Sequence, residues 1–166
     1  MQLTHYTSKF KPRSFPITII CDGLSSPYNI GGMFRIADAF GVEHIIFLNT
    51  TEDLGKRFKK ASRSAEKYVK YSISNDFEEV YINLLSRNYY LIALEITEKS
   101  IPLNDFHINK DHPIAIIIGG ENLGISDTIL SKVENHVHIN MYGVNSSMNV
   151  VQSASIVLYE LTNQLK

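Results

Sequence analysis

The 166-residue chain has one cysteine, five prolines and no excess of charge of either sign. Cys21 has no partner for an internal disulfide, which excludes a disulfide scaffold and fits a reducing compartment. Sixteen basic against seventeen acidic side chains give a formal net charge of −1. Whole-molecule charge therefore neither recruits nor repels a polyanion, and any nucleic-acid contact has to be local. No apolar run approaches the roughly 18 residues of a membrane span. The opening segment, residues 1–16, lacks the apolar stretch of a secretory leader. There is no internal repeat, low-complexity tract or linker. With 44% hydrophobic residues, the chain is expected to form one soluble, cytoplasmic α/β domain over 1–166, with 1–15 as a polar lead-in.

What is present alternates short apolar runs with amphipathic ones. Residues 17–21, 44–48, 89–94, 114–118 and 137–139 read as strands, several of them uniformly apolar, and 67–73 alternates as a strand would. Apolar residues at 30, 33, 34, 37 and 40 mark a helix stopped by Gly41. Asp76 is a candidate N-cap, with Glu79 completing a box-like pattern ahead of a helix faced by Phe77, Val80, Tyr81, Leu84 and Leu85. Ser126 heads a short helix. Val150, Ala154, Val157, Leu158, Leu161 and Leu165 form the stripe of a C-terminal helix. Such alternation implies a parallel sheet covered on both faces.

Ligands of open α/β sheets bind at the carboxyl ends of strands, and three strand ends here carry unusual residues. The first is Ser26-Pro27-Tyr28-Asn29-Ile30-Gly31-Gly32-Met33-Phe34-Arg35, where Asn29 stands as a candidate N-cap. Arg35 lies beside the apolar stripe, free to act at a site or simply to pair with Asp38 one turn on. The two early glycines cost the helix roughly 1 kcal/mol each relative to alanine, which points to a close approach. The second is Gly119-Gly120-Glu121-Asn122-Leu123-Gly124-Ile125-Ser126; a plain turn needs one glycine, not three in six residues. The third is Ile139-Asn140-Met141 through Ser147-Met148-Asn149, whose amides and hydroxyls exceed what capping by Ser147 or Asn149 explains. The glycine spacing matches neither a dinucleotide fingerprint nor a Walker loop, and no Gly-x-Ser-x-Gly elbow occurs. Nucleotide oxidoreductase and serine hydrolase readings are set aside accordingly.

Charge is segregated. Residues 56–70 hold seven of the sixteen basic side chains and one acid. This favours contact with a phosphate backbone through Lys56, Arg57, Lys59, Lys60 and Arg63, with Tyr68 and Tyr71 available to stack on bases. Cys21 reads as a small buried thiol. His136 and His138 share one strand face but lack a third ligand, so no metal is expected.

Together the three loops, in this order and spacing, resemble the three motifs of the SpoU (TrmH-like) RNA methyltransferases of the SPOUT superfamily. Motif one is Asn29-x-Gly31-x-x-x-Arg35, continued by Ala37 to Val42; motif two runs from Ile118 to Ser126. Motif three is Ile139-Asn140-Met141 followed by Ser147-Met148-Asn149-Val150. The likeness extends from about residue 15 to the C-terminus. It implies a parallel-sheet SPOUT fold with a deep C-terminal trefoil knot, which periodicity alone does not predict. It further implies S-adenosylmethionine as cofactor, held by Leu94, Glu95, Gly119, Gly120, Gly124, Ile139, Met141, Ser147 and Met148. The implied assembly is a homodimer with composite active sites and no metal or membrane requirement. The implied reaction is methylation of a ribose 2′-hydroxyl in tRNA or rRNA, tRNA being favoured.

Arg35, Asn29, Glu121, Ser147 and Asn149 are then the catalytic candidates. The family gives its motif-one arginine the task of removing the hydroxyl proton. Guanidinium stays protonated, so clamping a phosphate and polarising the hydroxyl suits Arg35 better. Asn140 stands where proline is usual, and Met148 where leucine is usual. The separate N-terminal RNA-binding domain of some relatives is not expected here, leaving RNA affinity to the basic segment and the dimer surface. A catalytically silent RNA-binding protein of the same fold and a SPOUT base methyltransferase are the alternatives.

Overall fold

A computed structural model describes residues 10–50, 54, 56–121 and 123–166. Most of the lead-in segment and Asn122 of the second motif lie outside the described residues. Seven strands are described: β1 (Phe15–Asp22), β2 (Val42–Leu48), β3 (Lys70–Ser74), β4 (Tyr90–Leu94), β5 (Ile101–Pro102), β6 (Ile114–Gly119) and β7 (Asn135–His138). All their pairings are parallel, in the order β3-β2-β1-β6-β4-β7-β5. The long apolar runs take the centre: every residue of β6 but Gly119 is buried, as a strand covered on both faces must be. The parallel sheet expected from the alternation of strands and helices is what forms.

Five helices cover it: α1 (Pro27–Ala39), α2 (Arg57–Ser62), α3 (Phe77–Ser86), α4 (Asp127–Lys132) and α5 (Val150–Gln164). One core joins Ile17, Ile19, Phe47 and Ile116 of the sheet to Phe34 of α1, Phe58 of α2 and Val157 and Leu161 of α5. The other joins Ile20, Leu48 and Ile117 to Leu84 of α3 and Ile129 of α4. Cys21 is wholly buried in the first core, and burial pushes its thiol far up, out of reach as a nucleophile.

The early glycines of α1 serve helix packing. A Cβ on Gly31 would lie 2.4 Å from the Ala61 Cβ of α2, and one on Gly32 would lie 3.0 Å from Val151 of α5. They let both helices close onto α1, offsetting their propensity cost. Asp76 caps α3 as expected, accepting from the Glu79 N–H at 3.1 Å. Its own N–H goes to Ser74 Oγ rather than back to Glu79, so the reciprocal half of the box is missing. Asn149 caps α5, accepting from the N–H groups of Val151 at 2.9 Å and Gln152 at 3.4 Å.

Several expectations need correction. Asn29 is not an N-cap: Ser26 takes that place with Pro27 behind it, and Asn29 sits in the first turn of α1. Arg35 does not pair with Asp38; the one ion pair among the described residues joins Lys132 and Glu78. The stretch after Gly55 contains helix α2 and a 3-10 turn at Ala65–Lys67, so β3 starts at Lys70 rather than 67. Ser126 heads α4 without a side-chain cap bond. Leu85, placed on the apolar face of α3, is 46% exposed. The two-residue strand β5 was too short to show in any pattern.

Candidate active site

The carboxyl ends of β4, β6 and β7 open into a cavity of about 500 Å³. Its floor is the bend that follows β6. A Cβ on Gly119 would lie 2.1 Å from the carbonyl carbon of Gly124, and Gly124 has φ +65 with room for no side chain beside Glu95 Oε2. The bend therefore folds back on itself only with glycine at both points. Gly124 N–H donates to the Gly120 carbonyl at 3.2 Å, and Gly120 N–H donates to the Asp22 carbonyl at 2.7 Å. Glu95, just past β4, locks the bend from the side, its carboxylate accepting from the N–H groups of Ile125 at 3.2 Å and Ile96 at 3.0 Å.

The loop after β7 forms the opposite wall. Leu94, Ile118, Ile139, Met141 and Met148 give the cavity its apolar surface, and Ser147 and Asn149 its polar edge. Asn149, besides capping α5, donates from Nδ2 to Asn29 Oδ1 at 3.2 Å. Asn29 Nδ2 in turn donates to Glu121 Oε1. One hydrogen-bonded chain thus joins α1, the β6 bend and the head of α5. A second tie lies beneath it. The Asp22 carboxylate, on a residue only 5% exposed, accepts from Asn49 Nδ2 at 2.7 Å and from the Ser126 N–H at 3.0 Å. Burying a carboxylate is tolerable because both oxygens are engaged.

The nine candidate cofactor residues all line this cavity, as do Glu121, Ser147 and Asn149. Asn29 stands behind the wall and reaches it through Glu121 and Asn149. Arg35 stands apart: it is exposed on α1 and does not line the cavity of its own chain. Lys56, Arg57, Lys59, Lys60 and Arg63 are exposed on and around α2, which packs against α1. Sequence reasoning missed Ile96 and Ser153 of the lining and the Asp22–Asn49 tie. It also passed over His138, weighed only as a zinc ligand, which lines the cavity while its Nδ1 lies 2.9 Å from Ser100 Oγ. Among the described residues no three metal-ligating side chains cluster.

The geometry suits a flexible nucleoside-bearing ligand with a polar tail. The volume lies within the range of small-molecule sites. The glycine bend brings backbone to the edge, the aliphatic and methionine side chains offer a face to a purine, and hydroxyls and amides gather at one rim.

Comparison with known proteins agrees. The model of the SpoU rRNA methylase family matches residues 16–159. The tRNA (guanosine(18)-2′-O)-methyltransferase of Thermus thermophilus is 26% identical over 148 residues, covering 89% of this chain and 75% of the relative. The A. aeolicus TrmH/SpoU tRNA modifying enzyme shares the fold, with a TM-score of 0.82 at 21% identity over 92% of this chain and 76% of that one. The SpoU methyltransferase AviRb from Streptomyces viridochromogenes, solved with AdoMet, gives a TM-score of 0.80 at 25% identity over 93% of this chain and 59% of that one. An RNA methylase fold with a donor cavity at its strand ends is the class defined here. The chain belongs to the SpoU rRNA methylase family. Membership implies the C-terminal trefoil knot, a property of the chain's path that no list of strand neighbours expresses.

Proposed function

We propose that the protein methylates a ribose 2′-hydroxyl of tRNA, working in the cytoplasm as a homodimer whose subunits share each active site. The carrying observation is the separation of Arg35 from the cavity: the candidate arginine is exposed on α1 and makes no ion pair among the described residues, while the loops form a cavity that it does not line. Exposed Tyr28 on α1 and Tyr159 on α5, 83% and 61% accessible, with Ile156 one turn from Tyr159, supply apolar surface on these two helices. A second copy seated there would bring its Arg35 to this cavity. No helix among the described residues is long and apolar enough to cross a membrane.

In this reading Leu94, Ile118, Ile139 and Met141 hold the purine of S-adenosylmethionine, and Ser147 and Asn149 hold its polar tail. Bound there, the cofactor supplies an electrophilic methyl group on a sulfonium. The remaining task is to align a ribose oxygen with it, about 3–3.5 Å away, and to remove one proton. Arg35 clamps an RNA phosphate with its forked donors and lowers the cost of ionising the neighbouring hydroxyl. The clamped phosphate oxygen receives the 2′-hydroxyl proton. Asn29 and Glu121, already bonded to each other, fix the wall against which Arg35 and the ribose meet.

Two measurements test this. Methylation of total tRNA and rRNA with labelled donor, followed by nucleoside mapping, should place the label on ribose in tRNA; label on a base, or none, overturns the assignment. Arg35→Ala and Gly119→Ala proteins, each inactive alone, should regain activity when mixed and reassociated, since one site of the mixed dimer is then intact. Persistent inactivity, with a lone protomer in sedimentation, removes the shared site.

A further inference from the structure

A second cavity, about 710 Å³, lies toward the opposite end of the sheet, between α3, the amino-terminal halves of β1 and β2, and the length of β3. Its floor breaks the rule that a covered parallel sheet is apolar. Register places Thr18, His44 and Lys70 in one row across three adjacent strands. Ser72, two residues beyond Lys70 and so on the same face, lies 2.9 Å from His44 Nε2 through its hydroxyl. α3 ends at Ser86 before it can cover this row, and Arg87 and Asn83 line the rim instead.

The charges there are arranged for an anion. Glu43 and Glu79 also line the groove, yet neither lies within ion-pairing distance of Lys70 or Arg87, for the single ion pair among the described residues is elsewhere. His44 registers the outcome. Its imidazole is held below the ordinary histidine value first by burial and then by Arg87 and Lys70. Arg87 and Lys70 are thus the charges that bear on the imidazole at the floor of the groove. Arg87 is steadied by stacking over the Tyr89 ring, 5.1 Å from its centroid, which leaves its remaining donors directed by a fixed plane. Lys70 is also the last residue of the basic run that begins at Lys56, so the groove continues that surface around the β3 edge. Exposed Tyr68 stands between the two.

We propose that this groove binds a phosphodiester phosphate of the RNA substrate, away from the nucleotide being methylated. Lys70 and Arg87 neutralise the phosphate, and Ser72 and Asn83 donate to its oxygens. His44, beside Lys70 in the register, becomes a third donor as the bound anion favours its protonated form. The groove thereby acts as an anchor that fixes how the RNA lies across the subunit. The inference rests on RNA being the substrate, and the closing experiment separates the two.

Binding of a fluorescent tRNA transcript is measured against salt concentration for the wild type, Lys70→Gln/Arg87→Gln and the charge-matched control Lys110→Gln/Lys166→Gln, both of whose lysines are exposed. Loss of one phosphate contact should weaken binding and flatten the log–log salt slope by about 0.7–0.9 in the double variant. The control slope, and S-adenosylmethionine affinity by calorimetry in all three, should not move. An unchanged RNA affinity and slope in the double variant overturns the anchor. In parallel, inorganic phosphate is titrated against the His44 ring resonances of the wild-type protein. These should shift, with His44 titrating at higher pH. If phosphate moves His44 but the wild type binds no RNA, the groove stands as a phosphate site and the RNA reading falls. If phosphate leaves His44 unmoved, the site itself is refuted.

Discussion

The two cavities at opposite ends of the sheet are built in opposite ways. Around the donor cavity the critical atoms are backbone: Gly119 folds against Gly124, Glu95 grips two N–H groups, and Asp22 grips a third. In the groove beside α3 they are side chains, gathered by register from the strands and joined by Asn83 of α3 and Arg87 just after it. A backbone-made site tolerates no added atom at its bends but accepts varied neighbours. A side-chain-made site is tuned by single substitutions without disturbing the fold.

The largest expected contrast comes from adding one methyl group. Gly119→Ala forces a Cβ to within 2.1 Å of backbone, whereas Gly143→Ala meets nothing within 4 Å. Gly119→Ala should lower S-adenosylmethionine affinity by about a hundredfold in calorimetry, equivalent to roughly 2.7 kcal/mol. Gly143→Ala should leave it unchanged, and equal affinities would break the distinction.

Next is Asp22→Ala, which strips the Asn49 amide and the Ser126 N–H of their acceptor beneath the bend. Two donors left partly buried should cost about 2 kcal/mol and lower Tm by roughly 6 °C. A change of a degree or less would show that water replaces the carboxylate freely.

The smallest effect belongs to the groove. His44 is held below its ordinary value of 6.5, so below that pH the unfolded chain binds more protons than the folded one. Stability should therefore fall as the pH drops from about 6.5 toward the lower folded value, and His44→Gln should flatten that part of a Tm–pH profile. An unaltered profile would mean that neither burial nor the two cations depress the imidazole.

This contrast also explains what was legible in the sequence. Glycines within six residues advertise a bend whatever surrounds it, and Ser147, Met148 and Asn149 follow in fixed spacing, so the donor cavity could be read residue by residue. The apolar runs of β1 and β6 announced a buried parallel sheet. The groove was invisible because Thr18, His44 and Lys70 become neighbours only when three strands pair in one register. Helix α2 was obscured by its lysines, since only Phe58 and Ser62 of its six residues face inward. Asn29 was misread for a physical reason too: an amide near a helix start ordinarily caps it, but Ser26-Pro27 had already begun the turn, freeing Asn29 to point elsewhere.

Asn149 holds two posts at once, accepting from the amides that open α5 and donating to Asn29 at the cavity wall. Occupancy of the cavity is thereby wired to the fraying of a helix that begins at its rim. Hydrogen–deuterium exchange at the Val151 and Gln152 amides should slow when the donor enters, making two backbone protons a built-in gauge of whether the enzyme is loaded.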